Sequence, residues 1–337
     1  MKKVLVTGAT GFLGQHLIKR LLQENISVRA LYRDEKKIAA IPLPLGKRLG
    51  DGLEWIKGDV LDIFSLEDAM KDCEEVYHCA AVVSFSKKDE ARMMKTNVEG
   101  TANVVNECLT AGVKKLLHVS SVASLGRTET SKLISEKHKW EDNKLNTRYA
   151  VSKHKAEMEV WRGVAEGLNA VVIYPTMIFG PGDWNENTSK LFQTVFKGLK
   201  FYPVGGNGMS DVRDVCDIAF QLMQSEIVNE RFVVCGTNWT YKDFFFEVAD
   251  ALGKPRPAIK LNPSTAIIGA RVLSLLSLFG KEPLVTVESA RTSSNTFFYD
   301  GAKVSQALNF KYRDFNETIK WVSGELLNHH SKFQNNS

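Results

Sequence analysis

The stretch Thr7-Gly8-Ala9-Thr10-Gly11-Phe12-Leu13-Gly14 decides how this chain reads. Before it, Lys3 to Thr7 is a short apolar run of the kind that forms a buried strand. After it, Leu13, Leu17, Ile18, Leu21 and Leu22 recur at helical spacing between Phe12 and Gln23. The glycines therefore join a strand to a helix. Glycine permits a sharp turn and a close backbone approach, and the first helical turn leaves amides unpaired at its positive end. A pyrophosphate needs both features, so Gly8, Thr10, Gly11, Phe12, Leu13 and Gly14 are candidate dinucleotide contacts. The spacing is GxxGxxG rather than GxGxxG, and its weight comes from lying between strand and helix. A tight turn without a ligand is the competing reading.

Working outward, apolar runs predict further strands at Ser27 to Tyr32, Leu53 to Gly58, Glu75 to Ala81, Lys115 to Ser120 and Asn169 to Tyr174. Helical periodicity falls between them at Ser65 to Met70, Asn97 to Ala111 and Arg148 to Glu166. Strand and helix alternate over short connections, which predicts an α/β fold: a Rossmann-type doubly wound parallel sheet with its loops gathered along one edge. The rhythm changes near Gly180. Residues 1–180 read as a dinucleotide-binding domain and 181–330 as a smaller, mainly substrate-binding region, with a strand near 232–235 returning to the main sheet. Helices are predicted there at Ser189 to Lys197, Val215 to Gln224 and Tyr241 to Leu252, and the tail after His329 reads as frayed.

The end of the second strand bears on the choice of dinucleotide. NAD sites usually place a carboxylate there to bind the adenosine ribose. Here the stretch reads Tyr32-Arg33-Asp34, followed by Lys36 and Lys37. Arg33, with Lys37, suits a ribose 2′-phosphate, which favours NADP(H) over NAD(H). The alternative is a solvated Arg33, with Asp34 holding a ribose. Asp59 and Val60 suit an adenine edge, and Ala80 and Ala81 leave room beside the fourth strand; both pairs are equally readable as loop and core.

Tyr149 and Lys153 lie four residues apart on one helix face. A free phenol, with a pKa of about 10, exchanges protons poorly at neutral pH; a nearby ammonium lowers that pKa. Tyr32 and Lys36 share the spacing but sit at a strand end. Ser121, just past the fifth strand, lies on the same sheet edge and is placed to polarise a substrate oxygen. A helix-capping serine is its plainer role.

TGATGFLG, the Asp59-Val60 turn, HCAA, TNVEGT, HVSSVAS, YAVSK and YPTMIFGPGDW occur in the order of the extended short-chain dehydrogenase/reductase family. The chain resembles that family, and more narrowly its dihydroflavonol reductase-like branch, over essentially its whole length. The resemblance implies Tyr149 as acid-base, Lys153 as its tuning cation and ribose ligand, and Ser121 on the reacting oxygen. It implies Asn97 as a supporting residue, and Tyr174, Pro175 and Thr176 beside the nicotinamide. It also implies a homodimer through the Asn97 and Tyr149 helices. The family usually has Arg or Asn before the proline; Tyr174 departs from that pattern.

Composition restricts the partners. The 337 residues carry a net charge of +5 with basic residues scattered in pairs, which argues against a nucleic-acid surface. Five cysteines without a CxxC pair suggest neither disulfides nor zinc, and the seven histidines lack metal-ligand spacing. No signal peptide follows the basic start, and a cytoplasmic setting is expected. The apolar stretch 266–279 is too short to span a bilayer and contains Arg271, so it reads as a buried or groove-lining helix. Ser84, Phe85, Trp184 and Phe201 are substrate-wall candidates, each equally readable as packing. Asp211, Arg213 and Asp214 are expected to tie the two regions together.

The expected activity is interconversion of a small aldehyde or ketone with its alcohol, Tyr149 moving the proton. Three alternatives stand beside it. One is a sugar-nucleotide epimerase or dehydratase with tightly held NAD, against which Arg33 argues. The second is a hydroxysteroid-type dehydrogenase. The third is a dinucleotide-sensing protein without turnover, against which the retained Tyr149 and Lys153 argue.

Overall fold

The structure is a computed structural model describing residues 2–39, 41, 52–127, 133–265, 267–268 and 287–334. The predicted apolar helix at 266–279 lies almost wholly outside the described residues.

Seven strands form the main sheet: β1 (Lys3–Thr7), β2 (Ser27–Tyr32), β3 (Leu53–Lys57), β4 (Glu75–His78), β5 (Lys115–Val119), β6 (Ala170–Pro175) and a late strand, Glu230–Val234. Their order across the sheet is the late strand, then β6, β5, β4, β1, β2 and β3, and every pair is parallel. The strand expected near 232–235 thus spans 230–234 and pairs with β6. The order reverses at β1, which pairs with β2 on one side and β4 on the other. That reversal opens a crevice at the carboxyl ends of the strands, the usual ligand position in such sheets.

Parallel strands are covered on both faces, so their side chains are apolar in both directions. One face packs Val4, Val6 and Ile173 against α1 (Phe12–Gln23) and the helix Val212–Gln224. The other packs Leu5, Val76 and Val172 against Val104, Val105 and Val160 of the helices Gly100–Thr110 and Arg148–Ala165. Predicted element ends shift by a few residues, with one change of kind. The helix expected at Asn97 to Ala111 begins as a short helix, Glu90–Met93, and passes through a π turn at Met94–Glu99 before Gly100. Such turns point a side chain off the regular helical ladder, and this one carries Asn97.

Beyond Pro175 lies a second, four-stranded mixed sheet containing Met177–Phe179, Gly206–Asp211, Thr237–Thr240 and Thr296–Phe297. A third core of Phe179, Phe192, Phe244 and Phe315 fills the space behind it. Trp184 is buried in that core and meets His329 edge-on, so it packs and does not line an open wall. The chain end is helical from Phe315 to Gln334, where a frayed tail was expected; Phe315, Ile319, Val322 and Leu326 hold it to the third core.

The hydrogen bonds of Asp211, Arg213 and Asp214 stay within residues 181–330, and the tie to the first region runs instead through Asp217, one turn further along the same helix. Asp211 caps its helix through the Arg213 amide and accepts from Thr318 at 2.7 Å. Arg313 donates to Asp214 and, at 2.9 Å, to Asp217, which also receives Arg20 of α1 at 2.6 Å. Burial lifts the Asp214 carboxyl to about 6 even with Arg313 beside it. Arg313→Ala would leave that carboxylate buried without its cation. The expected loss is roughly 2–3 kcal/mol, the low end for a broken buried pair because the guanidinium is partly exposed. Urea unfolding followed by circular dichroism measures it; an unchanged midpoint would show the pair contributes nothing.

Candidate active site

The glycine turn is built by close backbone contact. Gly8 has φ +66°, and a Cβ there would lie 2.6 Å from the Ala80 amide nitrogen. A Cβ on Gly14 would lie 2.2 Å from the Gly8 carbonyl oxygen, so α1 sits directly on the turn. Gly11 closes the turn through its amide to the Gly8 oxygen at 2.9 Å. It is exposed and caps α1 with no side-chain bond, which leaves the amides at that helix end open to an anion. Thr10 accepts from the Gln15 side chain at 2.8 Å through its carbonyl. Phe12 stacks its edge on His16 and faces Gly182, and Leu13 packs on the core.

The neighbouring loop is pinned from below. Thr7 Oγ1 lies 2.7 Å from His78 Nδ1, and the Ala80 amide donates to the same hydroxyl at 3.3 Å. His78 Nε2 meets Thr101 Oγ1 at 2.9 Å. Burial pushes His78 down to about 3, so the ring is a neutral strut. Ala80 is half-buried against Gly8, and Ala81 is exposed.

Arg33 projects from the end of β2, 59% exposed, with its guanidinium 3.5 Å from Asp59. Asp59 also accepts from the Leu61 amide at 3.1 Å, while Val60 is buried against Gly100. Asp34 Oδ1 accepts from the Lys36 amide at 3.0 Å. Lys37 is exposed, and Tyr32 meets Trp55 edge-on.

Tyr149 stands in the first turn of the helix Arg148–Ala165, capped by Thr147. Ser121 lies beside it, close enough to counter part of the effect of burial on the phenol. Ser121 keeps its plainer role too: its Oγ accepts from the Ala123 amide at 3.2 Å and caps a short 3₁₀ turn. Phe85 approaches the Tyr149 ring edge-on at 6.4 Å. Ser84 is engaged elsewhere, donating to Asp89 at 2.6 Å, and Phe201 is exposed on a two-stranded edge, Phe201–Pro203 with Ile259–Leu261.

Two expectations are corrected. The Tyr149 phenol is raised, not lowered: burial dominates, and the Ser121 bond pulls back only part of it. Lys153 is buried and donates to the Val119 carbonyl at 2.8 Å. Burial brings its own pKa down to about 8. The second correction concerns Tyr174, expected beside the nicotinamide. Its side chain is fully buried, and its hydroxyl donates to Glu157 at 2.5 Å. Pro175 is buried with it, and Thr176 bonds Ser210 at 2.8 Å.

Asn97 takes the structural alternative. Its amide accepts from the Val82 nitrogen at 2.7 Å and donates to the Val82 oxygen at 3.0 Å and Ser152 at 2.9 Å. It thereby fastens the loop after β4 to the helix that carries Tyr149. Sequence reasoning missed Glu157, on that same helix, whose carboxylate gathers Ser124, Trp161 and Tyr174. Its signal was a carboxylate repeating the spacing of Tyr149 and Lys153 on a buried face.

A turn built for backbone approach, an open helix end and two hydroxyls across the same crevice fit a nicotinamide dinucleotide beside a proton donor. Residues 4–236 match the NAD-dependent epimerase/dehydratase family. The chain belongs to that family. It is an NAD(P)-dependent oxidoreductase with the extended short-chain dehydrogenase/reductase architecture. The family member is 26% identical to a putative dihydroflavonol 4-reductase of Synechocystis sp., covering 96% of this chain and 94% of that one. It is 30% identical to sterol demethylase protein B of Methylococcus capsulatus, over 77% of each chain. The crystal structure of gox2253 superposes with a TM-score of 0.81 at 28% identity, covering 98% of this chain and 99% of that one. No helix among the described residues is long and apolar enough to cross a membrane.

Gly8→Ala tests the turn. The added methyl meets the Ala80 backbone and the residue sits in a left-handed conformation, so both strain and displacement follow. NADPH and NADH binding by calorimetry should weaken about tenfold or more, roughly 1.4 kcal/mol. Affinity equal to that of the parent protein would remove the turn from the dinucleotide site.

Proposed function

We propose that this enzyme is an NADP(H)-dependent carbonyl reductase of the dihydroflavonol reductase-like kind, interconverting a small aldehyde or ketone and its alcohol. The observation that carries the reading is that Tyr149, in the first turn of its helix, and Ser121, just past β5, stand together at the sheet edge that also carries the exposed glycine turn. The reductase name of the Synechocystis relative, matched over nearly the whole chain, supports it.

When bound, the dinucleotide supplies hydride to the carbonyl carbon, or accepts it from the alcohol. Ser121 donates a hydrogen bond to the substrate oxygen, and Tyr149 gives that oxygen its proton. A raised phenol is protonated at neutral pH, which suits the acid role in reduction. The phenolate left behind is stabilised by the Lys153 ammonium, whose loss would make proton donation costly. Phe85 supplies an apolar wall beside the reacting oxygen. Arg33, exposed at the end of β2, would take the 2′-phosphate of NADP(H) with Lys37 near it.

The sterol demethylase relative favours a second reading, a hydroxysteroid-type dehydrogenase running the same chemistry on a larger apolar substrate. A panel of aldehydes, ketones and steroids, followed by NADPH absorbance, separates the two by which class turns over.

With an accepted substrate, Tyr149→Phe should lower kcat by about 10²–10⁴ while leaving the dinucleotide Kd within about twofold. Undiminished turnover would take Tyr149 out of the chemistry. Arg33→Ser should weaken NADPH by about tenfold and leave NADH nearly unchanged, one charge-assisted contact being worth roughly 1.5–3 kcal/mol in a buried setting and less at an exposed one. Equal losses for both dinucleotides would end the assignment of Arg33 to the 2′-phosphate.

A further inference from the structure

Two charged side chains one turn apart on the helix Arg148–Ala165 are both buried, Lys153 to 2% exposure and Glu157 to 4%. They grip the same short segment from either side. Lys153 donates to the Val119 carbonyl at 2.8 Å, just before the segment. Glu157 Oε2 accepts from Ser124 at 2.9 Å, just after Ser121, and lies 3.5 Å from Ser120 Oγ. The Ser124 hydroxyl also lies 2.9 Å from the Ser121 carbonyl, so its one proton is shared between the two acceptors. Ser121 is thus suspended between an ammonium and a carboxylate from the helix that bears Tyr149.

The other oxygen, Oε1, receives Tyr174 of β6 at 2.5 Å and Trp161 at 2.9 Å, with Arg231 of the late strand 3.8 Å away. This is where the Tyr174 departure from the family pattern is spent. Four neutral donors and one partly exposed cation surround the carboxylate. A cavity of about 180 Å³ lies alongside, with His138, His154 and Arg231 on its walls. Toward Lys153 the electrostatics are one-sided. His78 and His118 face it as neutral rings, burial having lowered both. Cys79 is a neutral thiol, pushed up to about 12. Tyr149, with its phenol raised, is neutral as well. Among the described residues acting on Lys153, Glu157 is the charged anion that opposes its burial.

We propose that Glu157 is the positioning residue of this site: it holds the Ser120–Ser124 turn that presents Ser121 and supplies the negative charge that keeps Lys153 an ammonium. The proposal rests on the reductase reading, in which Lys153 must be charged to stabilise the Tyr149 phenolate. With Lys153 brought to about 8, that charge is lost as pH rises through about 8. The alkaline limb of kcat/KM reports the loss. A carboxylate serving only as a structural brace would not set where that limb falls.

The test compares parent, Glu157→Gln, Trp161→Phe and Arg231→Met proteins. Glu157→Gln keeps the volume and removes the charge, and should move the alkaline limb down by about one pH unit, the effect of one nearby charge. Trp161→Phe removes a donor but keeps the carboxylate, and should leave the limb in place. Arg231→Met takes away the competing cation, replaces a partly exposed side chain, and should move the limb up by a few tenths of a pH unit. The second readout needs no turnover. Carbon-13 at lysine Cε, with the Lys153 signal assigned by its absence in Lys153→Met, is titrated in the free enzyme, and its midpoint should move in the same directions. Limbs and midpoints unmoved by either charge change would overturn the proposal. Glu157→Gln failing to fold leaves Arg231→Met to decide. If Tyr149→Phe retains full activity, the reductase reading fails, and the Lys153 titration still decides whether Glu157 sets its charge.

Discussion

The structure depends on a place where two backbones touch with no side chain between them. Gly8 leaves β1 and lies against the chain leaving β4, at a separation that a single methyl would violate. That contact fixes the mouth of the crevice at the strand-order reversal. The rest is arranged to hold it: Thr7 and His78 beneath, Gly14 drawing α1 onto the turn, and Asn97 fastening the loop beyond. Apolar burial over both faces of the sheet supplies the stability, and the glycines supply the shape.

At the same edge, the protein sets charge against burial. Lys153 and Glu157 are expensive to desolvate singly, and each is placed where the other and a set of hydroxyls and carbonyls offset the cost. The result is a polar seam under the crevice that runs from β4 to the late strand. Its histidines stay neutral: His118 has neither ring nitrogen bonded, and it stacks obliquely on His78 at 5.2 Å. Neutral rings leave the field at Lys153 to one carboxylate.

Much of this was legible beforehand. The alternation of apolar strands and amphipathic helices gives the sheet, and the glycine spacing gives the turn, because both are local patterns with local causes. Tyr149 and Ser121 could be paired because chain order places both at one sheet edge. The direction of the Tyr149 shift was not legible: it depends on how deeply a residue is buried, and the sequence does not state depth. Tyr174 was misassigned for a related reason. Its backbone position follows from the strand, but its hydroxyl reaches a carboxylate seventeen residues back, on a different element. The π turn at Asn97 escaped because periodicity over one turn cannot distinguish it from an ordinary helix. Trp184 and His329 met across a core that no local pattern announces.

The five thiols carry a consequence of their own. Cys73, Cys79, Cys108, Cys216 and Cys235 are all unpaired, and burial raises every one. Almost none of each exists as thiolate at neutral pH, and thiolate is the form that attacks electrophiles. Whatever the crevice takes, the sulfur of this chain is held in the form that reacts slowly with electrophiles.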